Sequence, residues 1–156
     1  APGTLDAIRH ADAAIKGPVG LPEIRLPDGT EAGLLGGVLR SGLDAYANVR
    51  PVRLLPGVEA PLRAKPGEID YVIVRENTEG LYLSRGKGVG NERAMTDTLL
   101  VTREGVERVA RYAFELARRR GRGKRVTCVD KANVLASLAF FPDGRRRDRR
   151  PPEKSE

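Results

Sequence analysis

The strongest periodic signal in the chain lies between Thr102 and Gly121, where Val106, Val109, Ala110, Ala113, Phe114 and Ala117 recur at steps of three and four. That spacing gathers them on one face of a helix and leaves the charged positions on the other. Thr102 stands where a helix needs an N-cap oxygen, and Gly121 where a left-handed residue closes one. Upstream, "IDYVIVRENTEGLY" (69–82) begins as an apolar strand and turns abruptly into charge at Arg75. "YANVRPVRLLPG" reads as another strand, with Pro51 suited to an edge because it donates no ladder hydrogen bond.

Weaker patterns fill the rest. "TLDAIRHA" predicts a short helix, "DAAIKGPVG" a strand running into a Gly/Pro loop, and "LLGGVLRSGLDAY" a helix weakened by glycines that cost about 1 kcal/mol each against alanine. "GLYLS" and "DTLLVT" are β-prone pieces flanking the Gly/Asn-rich "RGKGVGNERAM", which predicts a long hairpin or arm over about 79–101. "RVTCVD" predicts a strand and "KANVLASLAFF" the opening of a helix. Alternating strands and helices predict an α/β architecture with some parallel pairing. The last stretch, "PDGRRRDRRPPEKSE", has no aliphatic residue to bury, so 142–156 is expected to be a disordered basic tail.

Composition changes this picture only at the margins. A 40% hydrophobic and 31% charged chain, whose apolar runs are too short for a bilayer, reads as soluble, with no membrane partner. Cys128 is the single cysteine, which excludes an intramolecular disulfide or a cysteine zinc cluster, and the N-terminus lacks a secretion-signal pattern. The cytoplasm is the expected compartment. The net charge of +7 is local: "RRRGRGKR" (118–125) carries six positive charges and no negative one. Part of that run suits the C-terminal end of a helix dipole, and no aromatic interleaving accompanies it, so nucleic acid is not the expected partner. A non-catalytic basic binding module built on this run is the alternative from another functional class.

Candidate chemistry sits where elements meet loops. Arg40, Arg50 and Arg75 occupy such junctions, and the carboxyl ends of strands are where α/β proteins collect ligands. Arginine's planar fork takes carboxylates in bidentate fashion, so the three would suit a small polyanion if they converge; singly, each reads more readily as a surface arginine. Tyr82 reads as a hairpin tyrosine packing at an edge, and Lys131, between a strand and a helix start, either as a solvated loop lysine or as a candidate base poorly matched to the helix dipole. His10 has no partner pattern. No P-loop, GxGxxG, HExxH or nucleophile elbow is present.

Taken together, "LLGGVLRSGLDAYANVRPVRLLPGV", "IDYVIVRENTEGLY" and "VDKANVLASLAFF" resemble the β-decarboxylating dehydrogenases, the family of 3-isopropylmalate, isocitrate and tartrate dehydrogenases. "YANVRP" and "DKANVL" lean toward the isopropylmalate branch, and "RENTEG" is common in the isocitrate and tartrate branches. The resemblance implies an isopropylmalate dehydrogenase-like fold, here incomplete: 1–45 as the edge of a large dinucleotide-binding domain, and 46–141 as a smaller α/β dimerisation domain with its arm.

It implies that Arg40, Arg50 and Arg75 grip the carboxylates of a malate-type 2-hydroxy dicarboxylate or tricarboxylate. Tyr82 would protonate the enol left after decarboxylation, and Lys131, from the partner subunit of a homodimer, would assist in removing the hydroxyl proton. Asn133 and Glu31 would reach the nicotinamide of NAD. A divalent metal, Mg2+ or Mn2+, would polarise the keto acid in the full-length family. Its aspartate ligands lie downstream of "DKANVL" in relatives and have no counterpart here, so no metal ligand is assigned. The chain is therefore expected to be a central fragment, inactive alone. Ahead of Arg40 the positions that form the isopropyl pocket read Gly36, Gly37 and Val38 unless Leu34 and Leu35 shift into that role, which leaves 3-isopropylmalate as the first expectation and tartrate, malate or isocitrate as alternatives.

Overall fold

A computed structural model describes residues 3–17, 23–27, 35–84, 87–121, 123 and 125–140. The chain divides into two compact units, Ala1–Ala45 and Tyr46–Glu156. The first holds α1 (Thr4–His10) and α2 (Leu35–Gly42). The Arg9 guanidinium donates to the Asp6 carboxylate at 2.7 Å and to the Gly42 carbonyl at 2.7 Å, so one side chain ties the two helices together. The strand expected over 12–20 is not formed in its described part: residues 13–17 carry neither helix nor ladder.

In the second unit, β1 (Ala47–Arg53) and β2 (Asp70–Glu76) pair antiparallel, with Asn48 opposite Arg75 and Arg53 opposite Asp70. The expected parallel pairing is not found, since both sheets among the described residues are two-stranded and antiparallel. The cause lies in the connection. A parallel crossover needs a dozen or more residues, usually a helix, whereas 54–69 is broken by Pro56, Gly57, Pro61, Pro66 and Gly67 and contains no helix. Pro51 sits within β1, opposite Val72, in a sheet of two edges.

The predicted long helix is α3 (Arg103–Arg120). The Thr102 hydroxyl accepts from the Gly105 N–H at 3.0 Å, and Gly121 closes the helix at φ 68, a left-handed conformation that glycine adopts without penalty. Thr102→Ala is expected to cost about 1–2 kcal/mol, the usual range for a lost N-cap, read as a lower urea midpoint at unchanged slope. α3 packs on β2, burying Val106 and Val109, and Arg120 donates to Asp70 at the far end of the contact. Strand alternation explains the rest: Val72 and Val74 share the Asp70 face and are half-buried, while Tyr71 and Ile73 on the opposite face are exposed. Leu54, Val106 and Val109 are the buried hydrophobic residues among those described.

Three further expectations are corrected. "GLYLS" forms a 3-10 turn at Leu81–Ser84 instead of a strand, beside a single backbone bridge between Gly80 and Leu100. The hairpin lies inside the Gly/Asn-rich segment itself, as β3 (Val89–Asn91) and β4 (Ala94–Thr96), its turn closed by the Asn91 side chain accepting from the Arg93 and Ala94 N–H groups. "RVTCVD" has no ladder partner among the described residues and is not a strand, and the described part of "KANVLASLAFF" supplies a turn and a 3-10 segment, Ala136–Ala139, in place of an α-helix. The tail 142–156 lies outside the described residues.

Candidate carboxylate-binding face

The site begins with the register of β1 on β2. Asn48 and Arg50 alternate onto the same face of β1, and the residues opposite them, Arg75 and Ile73, lie on that face of β2. Arg50 and Arg75 are therefore diagonal neighbours across the pair, within reach for long side chains. The Arg50 Nε–H donates to Asn48 Oδ1 at 3.0 Å, which orients the guanidinium, and Asn48 Nδ2 lies 3.5 Å from Oδ1 of the buried Asn77. Arg75 is half-buried, with its guanidinium carbon 5.0 Å from the centre of the Tyr82 ring. That is cation–π distance, and it places the phenol beside a fixed positive charge.

The turn joining Arg75 to Tyr82 is held by its own acids. Glu76 accepts from the Thr78 N–H at 2.8 Å, the Thr78 hydroxyl at 2.6 Å and the Glu79 N–H at 2.9 Å. Glu79 accepts from both the backbone N–H and the hydroxyl of Thr102. Arg108 of α3 donates to the Thr78 hydroxyl at 2.8 Å while its guanidinium lies 4.9 Å from the Tyr46 ring, which meets Tyr112 edge-on. These residues were not singled out from sequence. The signal was the "ENTE" composition, two carboxylates and a threonine in four residues, which suits a self-capped turn.

The other expected site residues are placed differently. Arg40 is half-buried in the last turn of α2, in the first unit, and its carbonyl accepts from the Ala45 N–H at 2.9 Å. Lys131 and Asn133 are exposed on a turn in which the Lys131 carbonyl accepts from the Val134 and Leu135 N–H groups. Asp130 shapes that turn, accepting from the Ala132 N–H at 2.8 Å and from the Cys128 thiol at 2.9 Å. Glu31 lies outside the described residues, as do Leu34 and the side chains of Leu35 and Val38 that bear on the isopropyl pocket. A hollow lined by Arg53, Leu54, Leu55, Pro56, Pro66 and Asp70 lies at the opposite end of the sheet from Arg75, and its Arg53 is paired with Asp70.

Among the described residues, no three His, Cys, Asp or Glu side chains gather to hold a metal ion. Of the two residues expected at a nicotinamide, only Asn133 is described, and it is exposed. The described residues gather no metal-binding set, and the chemistry the face offers is anion binding with a phenol alongside. The basic run is partly committed to structure: Arg118, Arg119 and Arg120 occupy the last turn of α3, and Arg120 is engaged by Asp70. No helix among the described residues is long and apolar enough to cross a membrane.

Residues 1–147 match the family model described as isocitrate/isopropylmalate dehydrogenase. The 3-isopropylmalate dehydrogenase of Clavibacter sepedonicus is 46% identical over 143 residues, covering 84% of this chain and 38% of that protein. The 3-isopropylmalate dehydrogenase of Corynebacterium glutamicum strain R is 47% identical over 135 residues, again covering 84% of this chain and 38% of the relative. Among solved structures, the TT0538 protein from Thermus thermophilus superposes with a TM-score of 0.76 at 32% identity, covering 94% of this chain and 28% of that one. Isocitrate dehydrogenase from Methylococcus capsulatus superposes with a TM-score of 0.66 at 33% identity, covering 94% and 42%. The chain thus spans well under half the length of the relatives it matches.

Proposed function

The chain belongs to the isocitrate/isopropylmalate dehydrogenase family, and on that premise we propose that the Arg50–Arg75 face binds the carboxylates of a malate-type 2-hydroxy acid, 3-isopropylmalate first among them. The observation that carries this reading is the juxtaposition of Arg75 with Tyr82 on the face that also presents Arg50. Each guanidinium can donate two parallel hydrogen bonds to one carboxylate, and two such forks on one face match two carboxylates of a small acid. Arg40 is the proposed third grip, from α2. Tyr82, half-exposed beside Arg75, is the proposed proton donor to the product enol. Lys131 is the proposed base acting across a homodimer, and Asn133 and Glu31 the proposed contacts to nicotinamide.

The reaction proposed for the whole enzyme is oxidative decarboxylation with NAD and a divalent cation, and the cation would be held by residues other than those described here. This chain's own contribution is to bind, to orient and to place a phenol at the reacting carbon. The two units are proposed as a partial dinucleotide-binding domain (1–45) and a dimerisation domain (46–141), and the cytoplasm as the compartment.

The test is a chimera in which residues 1–147 replace the matching segment of a full-length 3-isopropylmalate dehydrogenase. It is expected to oxidise 3-isopropylmalate in preference to isocitrate, malate or tartrate, and a reversed preference would assign the chain to another branch. Within it, Tyr82→Phe is expected to lower kcat about 100-fold with a smaller change in KM, because the phenol supplies a proton and little of the carboxylate grip. A large rise in KM at normal turnover would make Tyr82 a binding residue instead.

A further inference from the structure

Glu79 reaches out of its turn to the start of a helix that begins 24 residues later in the chain. Its carboxylate accepts from the Thr102 N–H at 2.8 Å and from the Thr102 hydroxyl, whose oxygen also accepts from the Gly105 N–H. The N-terminal end of α3 is thus satisfied twice, once by the local cap and once by an acid from the turn, and a negative charge is favoured there by the helix dipole. The contact is close. A methyl group built on Gly105 would stand 2.5 Å from the Glu79 carboxyl carbon, so glycine at this helical position leaves the room the carboxylate occupies.

We infer that Glu79 is a positioning residue: anchored on Thr102 in the space that Gly105 leaves, it fixes the turn that holds the Tyr82 ring against the Arg75 guanidinium. The geometry supports more than a local cap. Arg75 precedes the turn and Tyr82 follows it, so their ring contact depends on the path between them. That path is tied to α3 through Glu79 and through the Thr78 hydroxyl that accepts from Arg108, and elsewhere to Asn48 through Asn77 and to Leu100 through the Gly80 backbone. Glu76 braces the turn internally but fastens it to nothing else in the described structure. Arg108 fixes one side of the turn, and the Glu79 carboxylate fixes the residue nearest Gly80 and Leu81, where the chain bends toward Tyr82. The inference rests on the proposed role of Arg75 and Tyr82 for its catalytic meaning, while the positioning itself is readable without any substrate.

The experiment is proton NMR of the 156-residue chain, following the upfield ring-current shift of the Arg75 side-chain protons, with Tyr82→Leu to identify the shift as that ring's. Glu79→Ala and Gly105→Ala are expected to remove most of the shift while the far-ultraviolet helix signal is kept. Glu79→Gln is expected to retain it, since the amide oxygen still accepts from the Thr102 N–H. Should Glu79→Ala fail to fold, Gly105→Ala decides, because it improves helix propensity while displacing the carboxylate. Persistence of the shift in Gly105→Ala would overturn the inference. Calorimetric titration with 3-isopropylmalate separates the two readings: loss of the shift with about a tenfold weaker affinity supports both, and loss of the shift with unaltered affinity sustains the positioning role but counts against the carboxylate site.

Discussion

Val106→Asp is expected to unfold the second unit. Val106 has 0% of its surface exposed, and with Leu54 and Val109 it makes up the buried hydrophobic set among the described residues. An aspartate there must stay charged without a partner or take up a proton, and either course costs several kcal/mol. Small domains hold only about 5–15 kcal/mol in total, and one with so few buried side chains belongs at the lower end. Circular dichroism should show the loss of the α3 signal and of any cooperative thermal transition. Val106→Ala is the graded comparison and is expected to cost about 1–2 kcal/mol, leaving the unit folded with a lower midpoint. A cooperative transition surviving unchanged in Val106→Asp would mean that α3 is not seated as described.

Arg75→Ala is expected to weaken binding of 3-isopropylmalate by about 100-fold without unfolding the chain. A guanidinium–carboxylate pair contributes charge-assisted hydrogen bonds worth about 1.5–3 kcal/mol, and each 1.4 kcal/mol is a factor of ten in affinity. Arg75→Lys keeps the charge but not the fork, so it is expected to recover only part of the loss. Titration with a monocarboxylate such as 2-hydroxyisovalerate should show a smaller penalty, because its single carboxylate can still be taken by Arg50 on the same face. An unchanged dissociation constant for the dicarboxylate in Arg75→Ala would remove Arg75 from the site and take the proposed function with it.

How far the sequence carried depended on whether an element's signals were local. α3 was legible because all its determinants lie within its own twenty or so residues: the apolar face, the Thr102 cap, the Gly121 stop. β2 was legible for a similar reason, since an apolar run ending in charge needs only one neighbour, and β1 was close by. "RVTCVD" has equally good strand composition, yet strand formation requires a ladder partner, and none is supplied to 125–130 among the described residues; Val129 accordingly stands 92% exposed.

The same limit separates the site residues. Arg75 and Tyr82 meet across one turn, and Arg50 shares a face with Arg75 through strand register, a convergence that only the resemblance implied. Asn133 and Glu31 could be assigned only by resemblance, whereas Arg40 and Lys131 stood out as junction residues whose partners local pattern could not supply. Glu79 was passed over because its partner lies 23 positions away, a separation no periodicity reports.

The two attachments of α3 also make it a gauge of length. At its start Glu79 holds Thr102, and at its end Arg120 holds Asp70, so the helix runs antiparallel to the stretch 70–79 and meets both of its ends. Eighteen helical residues measure about 27 Å, and ten residues of strand and turn reach at most about 30 Å, so the two spans agree to within a turn. Deleting one residue from α3 shortens it by about 1.5 Å and rotates everything beyond by about 100°, which carries Arg120 away from Asp70 even if the apolar content is kept. Insertions in the turn of the Val89–Thr96 hairpin pass through no such double anchorage. α3 is therefore held to its residue count by geometry at both ends.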